Sequence, residues 1–365
     1  MKVTVMVDSL RPPLSGIGRY CLELCRGMSN RPELELLQFY RNGGWIEDLD
    51  TLCAPTSKPP FRRALRRWRQ RQNRRKLRET LVHAPNYFLP PEVDSGISTI
   101  HDLSVLKYPE THPIARVKQF EREFISSVDR AAHIITDSET IRQELIDSFS
   151  LQADRITAVP LGISYNFHPH SPASATAHLA RYRLKPGEYS LCVSTLEPRK
   201  RIAELIIAWR DLPAAVRTQN QLVIAGPPGW RNEQIYEEIS NGAQEGWLRH
   251  IGFVEEVDLP ALYAGAKLFV YPSTYEGFGL PPLEAMACGT PTLVADQSCL
   301  PEICGSAALQ VNPNDHDALV AKLQFALTDE EWQRIAVSNG LAHATNFSWK
   351  RCVDETLSVY QRFWP

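Results

Sequence analysis

The pattern that is most informative about the fold is YPSTYEGFGLPPLEAMACGTP, residues 271–291. An apolar run ends at Tyr271, a loop with Gly277 and Gly279 follows, and an apolar helical pattern begins near Leu280. Glycines in such a loop let backbone N–H groups approach a ligand, and the positive end of the helix dipole favours an anion such as a diphosphate. The order of strand, loop and helix therefore predicts an anion-binding turn in a parallel α/β sheet.

Two glutamates flank the start of this helix. Glu276 lies in the loop and Glu284 on the helix, with seven residues between them. Carboxylates on either side of an anion site can accept hydrogen bonds from sugar hydroxyls. The alternative is that Glu284 is a solvent-facing helix residue and that the glycines only form a turn. We favour the binding site because the strand before and the helix after supply the context that such a motif needs.

The alternation of short apolar strands and helical patterns extends along the chain and starts again once, which predicts parallel sheets covered by helices on both faces. The expected strands are Lys2–Asp8, Leu34–Tyr40, Leu81–His83, Ser98–His101, His133–Asp137 and Ile156–Leu161, then Tyr189–Thr195, Gln221–Ala225, Ile251–Val254, Leu268–Tyr271, Thr292–Ala295 and Ala308–Val311. Residues 166–180, NFHPHSPASATAHLA, lack apolar periodicity and predict a linker. We expect an α/β protein with two Rossmann-like, doubly wound domains, 1–170 and 171–348, facing each other across a cleft.

A second informative string is STLEPRKRI, residues 194–202, between an expected strand and an expected helix. It places Arg199 and Lys200 beside the carboxyl edge of the sheet. Fixed cations there can stabilise the negative charge that grows on a departing diphosphate. A basic helix start without a ligand is disfavoured, because cations are unfavourable at a helix N-terminus unless an anion joins them.

The first half offers weaker candidates. PLSGIGRYCLEL places Gly16 and Gly18 in a loop that opens a helix, but the third glycine of a dinucleotide-binding fingerprint is missing. His101 and Asp102 end the strand of STIHDL, where a ligand of a parallel sheet would lie. A single histidine is more often structural than functional.

These strings together resemble the retaining glycosyltransferases of family 4, which have the two-domain GT-B fold and an E-x7-E signature in the C-terminal domain. The match is EGFGLPPLE, Glu276 to Glu284. The resemblance implies that Glu276 contacts hexose hydroxyls and that Glu284 binds the nucleotide ribose. It also implies that the backbone between them binds sugar and phosphate, at Gly277, Phe278, Gly279 and Leu280.

The resemblance assigns expected roles to the other candidates as well. Arg199 and Lys200 would bind the donor diphosphate, and His101 would contact the transferred hexose with Asp102 beside it. The family's usual arginine just after the preceding strand is absent, since Ser194 and Thr195 stand there. By the same resemblance, Gly16 and Gly18 would lie over the donor phosphate, and the backbone of Phe253 and Val254, in IGFVEEVDLPAL, would lie beside the base.

The resemblance covers nearly the whole chain, including a last helix, 349–365, that would pack back onto the first domain. It implies that 1–170 is the acceptor-binding domain and that 171–348 is the nucleotide-sugar-binding domain. TIHDL, TLEPRKR and EGFGLPPLEAMACGTP are most similar to bacterial mannosyl- or rhamnosyltransferases of surface-polysaccharide assembly. The expected activity is metal-independent, retaining transfer of a hexose from GDP-mannose to a glycan or a polyprenyl-linked oligosaccharide, with no other cofactor. A UDP- or dTDP-sugar donor, such as one carrying rhamnose, is the second choice. A sugar-nucleotide epimerase of the same fold and a non-catalytic nucleotide-binding relative remain open.

Composition excludes several classes. The chain has 365 residues, 22% of them charged, and a formal net charge of -2, which gives no reason to expect a nucleic-acid partner. The start MKVTVMVDSL lacks the apolar core of a signal peptide. The eight cysteines form no C-x-x-C pair, so we expect a reducing cytoplasm. Two D-x-D strings, at 48–50 and 315–317, are interpreted as irregular or helix-start residues and not as metal ligands.

The run 58–78, KPPFRRALRRWRQRQNRRKLR, contains 11 basic residues. Phe61, Leu65 and Trp68 are spaced by four and three positions, so a helix there would have one apolar face and a basic remainder. This pattern is typical of a helix on an anionic membrane surface, which would make the protein peripheral to the inner face of the cytoplasmic membrane. A solvated helix packed on the first domain fits equally well.

Overall fold

The computed structural model describes residues 1–12, 14–53 and 73–364, and most of the basic run 58–78 lies outside them. The chain passes more than once between two units. Met1–Leu106, Ile114–Gly162 and Ser348–Pro365 form the first unit, and Lys107–Pro113 and Ile163–Phe347 form the second. Within the described ranges, no helix is long and apolar enough to cross a bilayer.

The first unit is built on a seven-stranded sheet in the order β3-β2-β1-β4-β5-β6-β7. Its strands are β1 (Lys2–Met6), β2 (Leu36–Arg41), β3 (Gly44–Ile46), β4 (Leu81–Ala84), β5 (Gly96–Ile100), β6 (Ala131–Thr136) and β7 (Ile156–Ala158). All neighbours pair in parallel except β2 and β3. The central strands are apolar and buried on both faces, as expected for parallel strands between helical layers.

Helices cover this sheet, and the last one comes from the end of the chain. They are α1 (Gly16–Met28), α2 (Asp50–Cys53), α3 (73–78), α4 (Ser104–Lys107), α5 (Ile114–Arg130), α6 (Glu139–Phe149) and, after the second unit, α16 (Trp349–Phe363). Helix α16 buries one stripe, including Val353, Leu357 and Tyr360. It packs on α1 so closely that a Cβ atom at Gly27 would lie 2.6 Å from Val353 Cγ2. The return of the last helix to the first unit is therefore as predicted.

The second unit has a six-stranded, wholly parallel sheet in the order β10-β9-β8-β11-β12-β13. The strands are β8 (Tyr189–Val193), β9 (Gln221–Ala225), β10 (Leu248–Gly252), β11 (Leu268–Tyr271), β12 (Thr292–Ala295) and β13 (Leu309–Val311). Counted within this unit, the order is that of the Rossmann fold. The chain leaves the neighbouring strands β8 and β11 toward opposite sides of the sheet, which creates a crevice at their carboxyl ends.

Nine helices surround this sheet within the described residues. They are α7 (Pro172–Leu179), α8 (Ile202–Arg210), α9 (Ala214–Gln219), α10 (Glu233–Gln244), α11 (Leu259–Gly265), α12 (Leu280–Ala287), α13 (Leu300–Cys304), α14 (His316–Thr328) and α15 (Glu330–Ala344). Trp209 of α8 is fully buried against the sheet, together with aliphatic side chains of β9, α10 and α14. This core fixes the loops that follow β8 and β11.

Three local expectations from the sequence are wrong. The strand expected at Ile251–Val254 is Leu248–Gly252, because Gly252 has φ +70° and ends the extended run. The antiparallel strand β3 was not expected. The segment interpreted as a linker contains helix α7, capped by Ser171 and packed through the buried side chains of Ala175 and Leu179.

Candidate functional site

A buried cluster of charged side chains in the second unit lies where β8 and β11 end, at the crevice described above. The loop after β8 contributes a single 3-10 turn, Pro198–Lys200, and the loop after β11 contributes Glu276. The Thr274 amide donates to the Arg199 carbonyl at 3.1 Å, which holds the two loops together. The sequence predicted both loops and their place between a strand and a helix.

Arg199 is held from two sides. Its Nη2 donates to Glu197 Oε1 at 2.7 Å, and its Nη1 donates to the Tyr275 carbonyl. Arg199 Nη1 also lies 3.6 Å from Glu276 Oε2. Only about 10% of the Arg199 side chain is exposed, so these contacts fix the direction of the guanidinium.

Lys200 forms the second cationic corner of the cluster. Its ammonium group donates to Glu276 Oε1 and, at 3.2 Å, to the hydroxyl of Tyr271. The Tyr271 hydroxyl donates to the same carboxylate oxygen at 2.8 Å. Glu276 Oε1 thus accepts hydrogen bonds from Lys200 and Tyr271, and Oε2 forms a longer ion pair with Arg199.

The charges in this cluster balance. Burial alone would raise the pKa of Glu276, but the positive charges of Lys200 and Arg199 outweigh it and hold that pKa below its usual value. Glu276 is therefore a carboxylate, and with Glu197 it offsets two cations. An incoming diphosphate would compete with these carboxylates for preorganised cationic donors, which is the arrangement needed to stabilise a leaving group.

The glycine loop meets helix α12 at Gly279. This residue has φ +102°, which favours glycine, and a Cβ atom there would lie 2.8 Å from Leu300 Cδ2 and force that side chain to shift. Pro281 and Pro282 lack amide hydrogens, so Leu280 alone supplies an N–H among the first three helical residues. The helix start offers fewer donors than the sequence pattern suggested, and the backbone of 277–280 must provide most of them.

Glu284 lies inside the unit and not on its surface. Its side chain is buried on α12, and Oε2 accepts a hydrogen bond from the Tyr263 hydroxyl at 2.9 Å. The alternative of a solvent-facing glutamate is therefore wrong. A buried carboxylate that is held by a tyrosine keeps further acceptor capacity for a ligand hydroxyl.

Phe253 and Val254 follow directly after β10. Phe253 is 48% exposed, whereas Val254 is buried. The exposed ring offers an apolar surface after the edge strand β10, and Val254 anchors the segment in the core.

In the first unit, His101 follows β5 and is almost fully buried. Its Nδ1 lies 2.7 Å from Asp137 Oδ2, and its Nε2 lies 2.9 Å from the Pro85 carbonyl. Burial opposes a charge on this ring, but the Asp137 carboxylate outweighs it and raises the pKa of His101. Both ring nitrogens are engaged, so direct contact with a hexose would require one of these bonds to be replaced.

The other candidates of the first unit have structural partners. Asp102 Oδ1 accepts hydrogen bonds from the hydroxyls of Tyr87 and Ser104. Gly16 and Gly18 lie in the first turn of α1 and not in a loop, which corrects the expectation. A Cβ atom at Gly18 would lie 3.1 Å from the Ser9 carbonyl oxygen, whereas Gly16 faces open space.

Several residues of these clusters escaped the sequence reasoning. Glu197 stands inside the quoted string STLEPRKRI but received no role, although a buried Glu beside an Arg signals a pair. For Tyr271, the sequence pattern predicts only the end of a strand. Asp137 is 36 residues from His101, and only the pairing of β5 with β6 brings them together.

The aspartates of the D-x-D strings have local roles. Asp315 caps helix α14 by accepting from the Ala318 amide at 3.0 Å, as expected for a helix start. Asp48 accepts from the Asp50 amide, and Asp50 pairs with Arg26.

Comparison with known proteins agrees with these features. A family model described as Glycosyltransferase Family 4 matches residues 14–167, and a model described as Glycosyl transferases group 1 matches residues 180–342. The chain is 37% identical to O-antigen chain mannosyltransferase B of Escherichia coli over 379 aligned positions, which cover 99% of this chain and 100% of that protein.

Solved structures confirm the expected GT-B fold. WaaG, a glycosyltransferase involved in lipopolysaccharide biosynthesis, superimposes with a TM-score of 0.74 at 16% identity, covering 98% of this chain and 99% of that one. Anabaena HepE, solved in complex with UDP and glucose, gives a TM-score of 0.73 at 18% identity, covering 98% of this chain and all of that one.

Proposed function

The chain belongs to the family 4 and group 1 glycosyltransferases, and on that premise we propose that it transfers mannose from GDP-mannose to a glycan during synthesis of a surface polysaccharide. Similarity to an O-antigen chain mannosyltransferase over the full length of both chains supports the choice of mannose and of a glycan acceptor. The acceptor is a glycan chain end, carried on a polyprenyl lipid in the expected setting.

One observation carries the chemistry: Arg199 and Lys200 are buried, fixed and balanced by Glu197 and Glu276 at the crevice of the second unit. The donor diphosphate binds these cations, and the glutamates keep them in place before it arrives. As the bond between the sugar C1 and the diphosphate oxygen breaks, the growing negative charge meets preorganised donors. Glu276 contacts the hexose, and Glu284 contacts the ribose.

The transfer is proposed to retain the configuration at C1 and to need no divalent metal. The acceptor hydroxyl oxygen forms the new bond to C1 on the face that the diphosphate leaves, and its proton passes to the departing phosphate oxygen. Two fixed cations supply the charge stabilisation that a metal ion would otherwise give.

A nucleotide panel tests the donor assignment. We expect GDP to raise the melting temperature of the wild-type protein more than UDP or dTDP at equal concentration, because ligand binding to the native state stabilises it. A larger shift with UDP or dTDP would replace GDP-mannose by a donor of that base. No shift with any of them would contradict the assignment of a donor site.

Incubation with GDP-mannose alone separates a transferase from an epimerase. A transferase leaves the sugar of the donor unchanged apart from slow hydrolysis, because no acceptor is present. Appearance of an epimerised sugar nucleotide in the product would contradict the proposed transfer.

We further propose that the basic run 58–78 holds the protein on an anionic membrane surface, supported by its 11 basic residues and apolar spacing. At its described end, Arg74 and Arg78 already pair with Asp94, so the test belongs to Arg66 and Arg67. Co-sedimentation with anionic liposomes should fall when both become Gln. It should persist in the charge-matched variant Lys118→Gln with Arg122→Gln, on the exposed face of α5. Unchanged sedimentation of the first variant would favour a solvated helix.

A further inference from the structure

The β12–α13 loop, residues 296–299, is hydrogen-bonded to the backbone of the glycine loop, residues 272–279, which follows β11. Strands β11 and β12 are parallel neighbours, so the loops that leave their carboxyl ends lie side by side. The sequence assigned no role to the β12–α13 loop. Its contacts nevertheless fix the backbone that is expected to bind the sugar and phosphate of the donor.

Ser298 holds both main-chain polar groups of Glu276. Its Oγ accepts a hydrogen bond from the Glu276 amide at 3.2 Å and donates one to the Glu276 carbonyl at 2.8 Å. Ser298 itself has φ +57°, in the left-handed region that is unfavourable for residues other than glycine. Strain of this kind persists where the surrounding structure requires it, and it is concentrated at functional sites. Glycine would avoid the strain but lose both hydrogen bonds, which indicates a local role for the hydroxyl.

Cys299 offers a donor to two carbonyl groups of the glycine loop. Its buried Sγ lies 3.2 Å from the carbonyl oxygen of Glu276 and 3.2 Å from that of Phe278. The Phe278 carbonyl cannot accept from the first turn of α12, because the residues three and four positions later are Pro281 and Pro282, which lack amide hydrogens. The thiol therefore replaces a donor that the helix cannot supply.

The bonded carbonyls set the direction of the amides that follow them. A trans peptide unit is planar, so its C=O and N–H bonds point in opposite directions. Because the Glu276 carbonyl faces the β12–α13 loop, the Gly277 N–H is directed away from that loop. The Phe278 carbonyl directs the Gly279 N–H in the same way. In the part of the chain that the structure describes, the Gly279 N–H has no hydrogen-bond acceptor, so it is a fixed donor for a ligand.

The outer side of the β12–α13 loop is tied to the other loops at this edge of the sheet. Gln297 Nε2 donates to Asn312 Oδ1 at 3.0 Å, and the same oxygen accepts from the Asn314 amide at 3.0 Å. Asn314 Oδ1 accepts in turn from Arg201 Nη2 at 2.6 Å, and Arg201 directly follows Lys200 in the chain. The β12–α13 loop is therefore connected to the loop that carries the fixed cations.

We propose that Ser298 and Cys299 are positioning residues of the donor site. Their hydrogen bonds hold the peptide units 276–277 and 278–279 so that the N–H groups of Gly277 and Gly279 are presented to the diphosphate and hexose. Donors that are oriented before the ligand arrives need no rearrangement as charge develops on the diphosphate. The identity of the ligand rests on the proposed function, whereas the hydrogen bonds belong to the free protein.

A glycine substitution separates the Ser298 hydroxyl from the backbone strain. Ser298→Gly removes both hydrogen bonds and relieves the left-handed conformation, so the melting temperature should stay close to the wild-type value. The kcat for transfer from GDP-mannose to an α-linked mannotriose should fall about ten-fold. Ser150→Gly is the matched control, because Ser150 also has a positive φ, +51°, but lies at the end of α6 in the first unit. It should keep the wild-type kcat.

Two substitutions test the thiol. Cys299→Ala should lower kcat about three- to ten-fold, and Cys299→Ser, which keeps a donor, should recover most of the loss. Cys304→Ala removes a buried thiol at the far end of α13 and should keep the wild-type kcat. In the ligand-free protein, hydrogen exchange of glycine-loop amides should be faster in Ser298→Gly and Cys299→Ala than in the wild type and in both controls.

Three results would overturn the proposal. Unchanged exchange of the glycine loop in Ser298→Gly and Cys299→Ala would show that packing alone fixes it. Wild-type kcat in these two variants, together with inactivity of Arg199→Ala with Lys200→Ala, would keep the donor site and remove the positioning role. Equal losses of kcat in Cys299→Ala and Cys304→Ala would assign the effect to the core. If the wild type transfers no mannose, the proposed function fails, whereas faster loop exchange in the variants still supports the bracing of the loop.

Discussion

Glu276 is the central residue of the buried charged cluster in the second unit. Its carboxylate accepts hydrogen bonds from Lys200 and Tyr271 and forms a longer ion pair with Arg199. All of these side chains are buried together. Removing one partner of such a buried array leaves the others without compensation. In the free protein Glu276 neutralises the cations that the diphosphate would bind. Removal of the Glu276 side chain should therefore affect the rate of sugar transfer and the affinity for the nucleotide differently.

Glu276→Ala is expected to lower kcat about 10- to 100-fold, which corresponds to the roughly 1.5–3 kcal/mol of a hydrogen bond to a charged group. GDP has no hexose, and the variant removes the carboxylate that competes with the diphosphate for Lys200 and Arg199, so GDP affinity should not weaken. Steady-state kinetics and calorimetry measure both, with the exposed Glu237→Ala of α10 as control. A GDP affinity that falls in parallel with kcat would contradict the assignment.

Glu284→Ala is expected to raise the donor KM and weaken GDP about 10- to 100-fold with a smaller change in kcat, because a ribose contact is equal in ground and transition states. Tyr263→Phe removes the hydroxyl that holds Glu284 and keeps the ring, so its effect should have the same sign and be smaller. Unchanged GDP affinity in Glu284→Ala, with transfer intact, would show that this carboxylate is structural.

At the scale of elements, helix α16 is tied to the first sheet by a buried chain of hydrogen bonds. Tyr360 binds His83 Nδ1 at 2.6 Å, His83 Nε2 binds Thr99 at 2.8 Å, and Thr99 binds Tyr20 at 3.0 Å. Burial lowers the pKa of His83 to about 3, so this ring is neutral and can donate with one nitrogen and accept with the other. The chain joins α16, β4, β5 and α1.

Tyr360→Phe should weaken that attachment by about 1–3 kcal/mol, since it leaves a buried nitrogen of His83 without a partner. Amide hydrogen exchange followed by mass spectrometry should show faster exchange in peptides of α16 and of β4. Ser358→Ala, on the exposed side of the same helix, should exchange as the wild type does. Equal protection in both variants would mean that packing alone holds α16.

The elements that the sequence predicted best are those with a strong local signal. The strand of 268–271 and the helix start at Leu280 lie where the apolar pattern and turn residues predict them. The last helix, which the resemblance implied, is Trp349–Phe363. The sequence pattern did not predict helix α7, because this polar and alanine-rich segment has two buried apolar side chains, Ala175 and Leu179, among its described side chains. The partners of Glu276 and His101 escaped because they depend on strand order, which local periodicity does not encode.

For the molecule as a whole, two buried histidines contribute to the response to mild acid. Burial lowers the pKa of His83 to about 3 and of His133 to about 4, whereas an unfolded histidine titrates near 6.5. The unfolded chain therefore binds more protons below about pH 6.5, and the free energy of unfolding falls there as the pH falls. His101, with its raised pKa, contributes in the opposite sense, and its contribution is lost as the pH rises through that pKa.

Urea unfolding at pH 7 and pH 5 measures this response. We expect His83 and His133 each to lower the stability by on the order of 1 kcal/mol per pH unit as the pH falls below about 6.5. His83→Asn should reduce the pH dependence whatever its effect at pH 7, and the exposed His168→Asn should leave it unchanged. A pH dependence that is identical in the His83 variant would show that this histidine does not titrate on unfolding.

The second unit carries a crevice at the carboxyl ends of β8 and β11 that is lined by the fixed cations Arg199 and Lys200. We infer that cationic side chains, and not a metal ion, support the transfer of mannose with retention.

The most direct test mixes the protein with GDP-mannose and mannotriose in excess EDTA, and determines GDP release and the anomeric configuration of the new linkage by NMR. We expect the wild-type protein to form an α-mannosyl product at the same rate with and without EDTA. The double variant Arg199→Ala with Lys200→Ala should form no product. Transfer that stops in EDTA and returns with manganese, or a β-linked product, would contradict it.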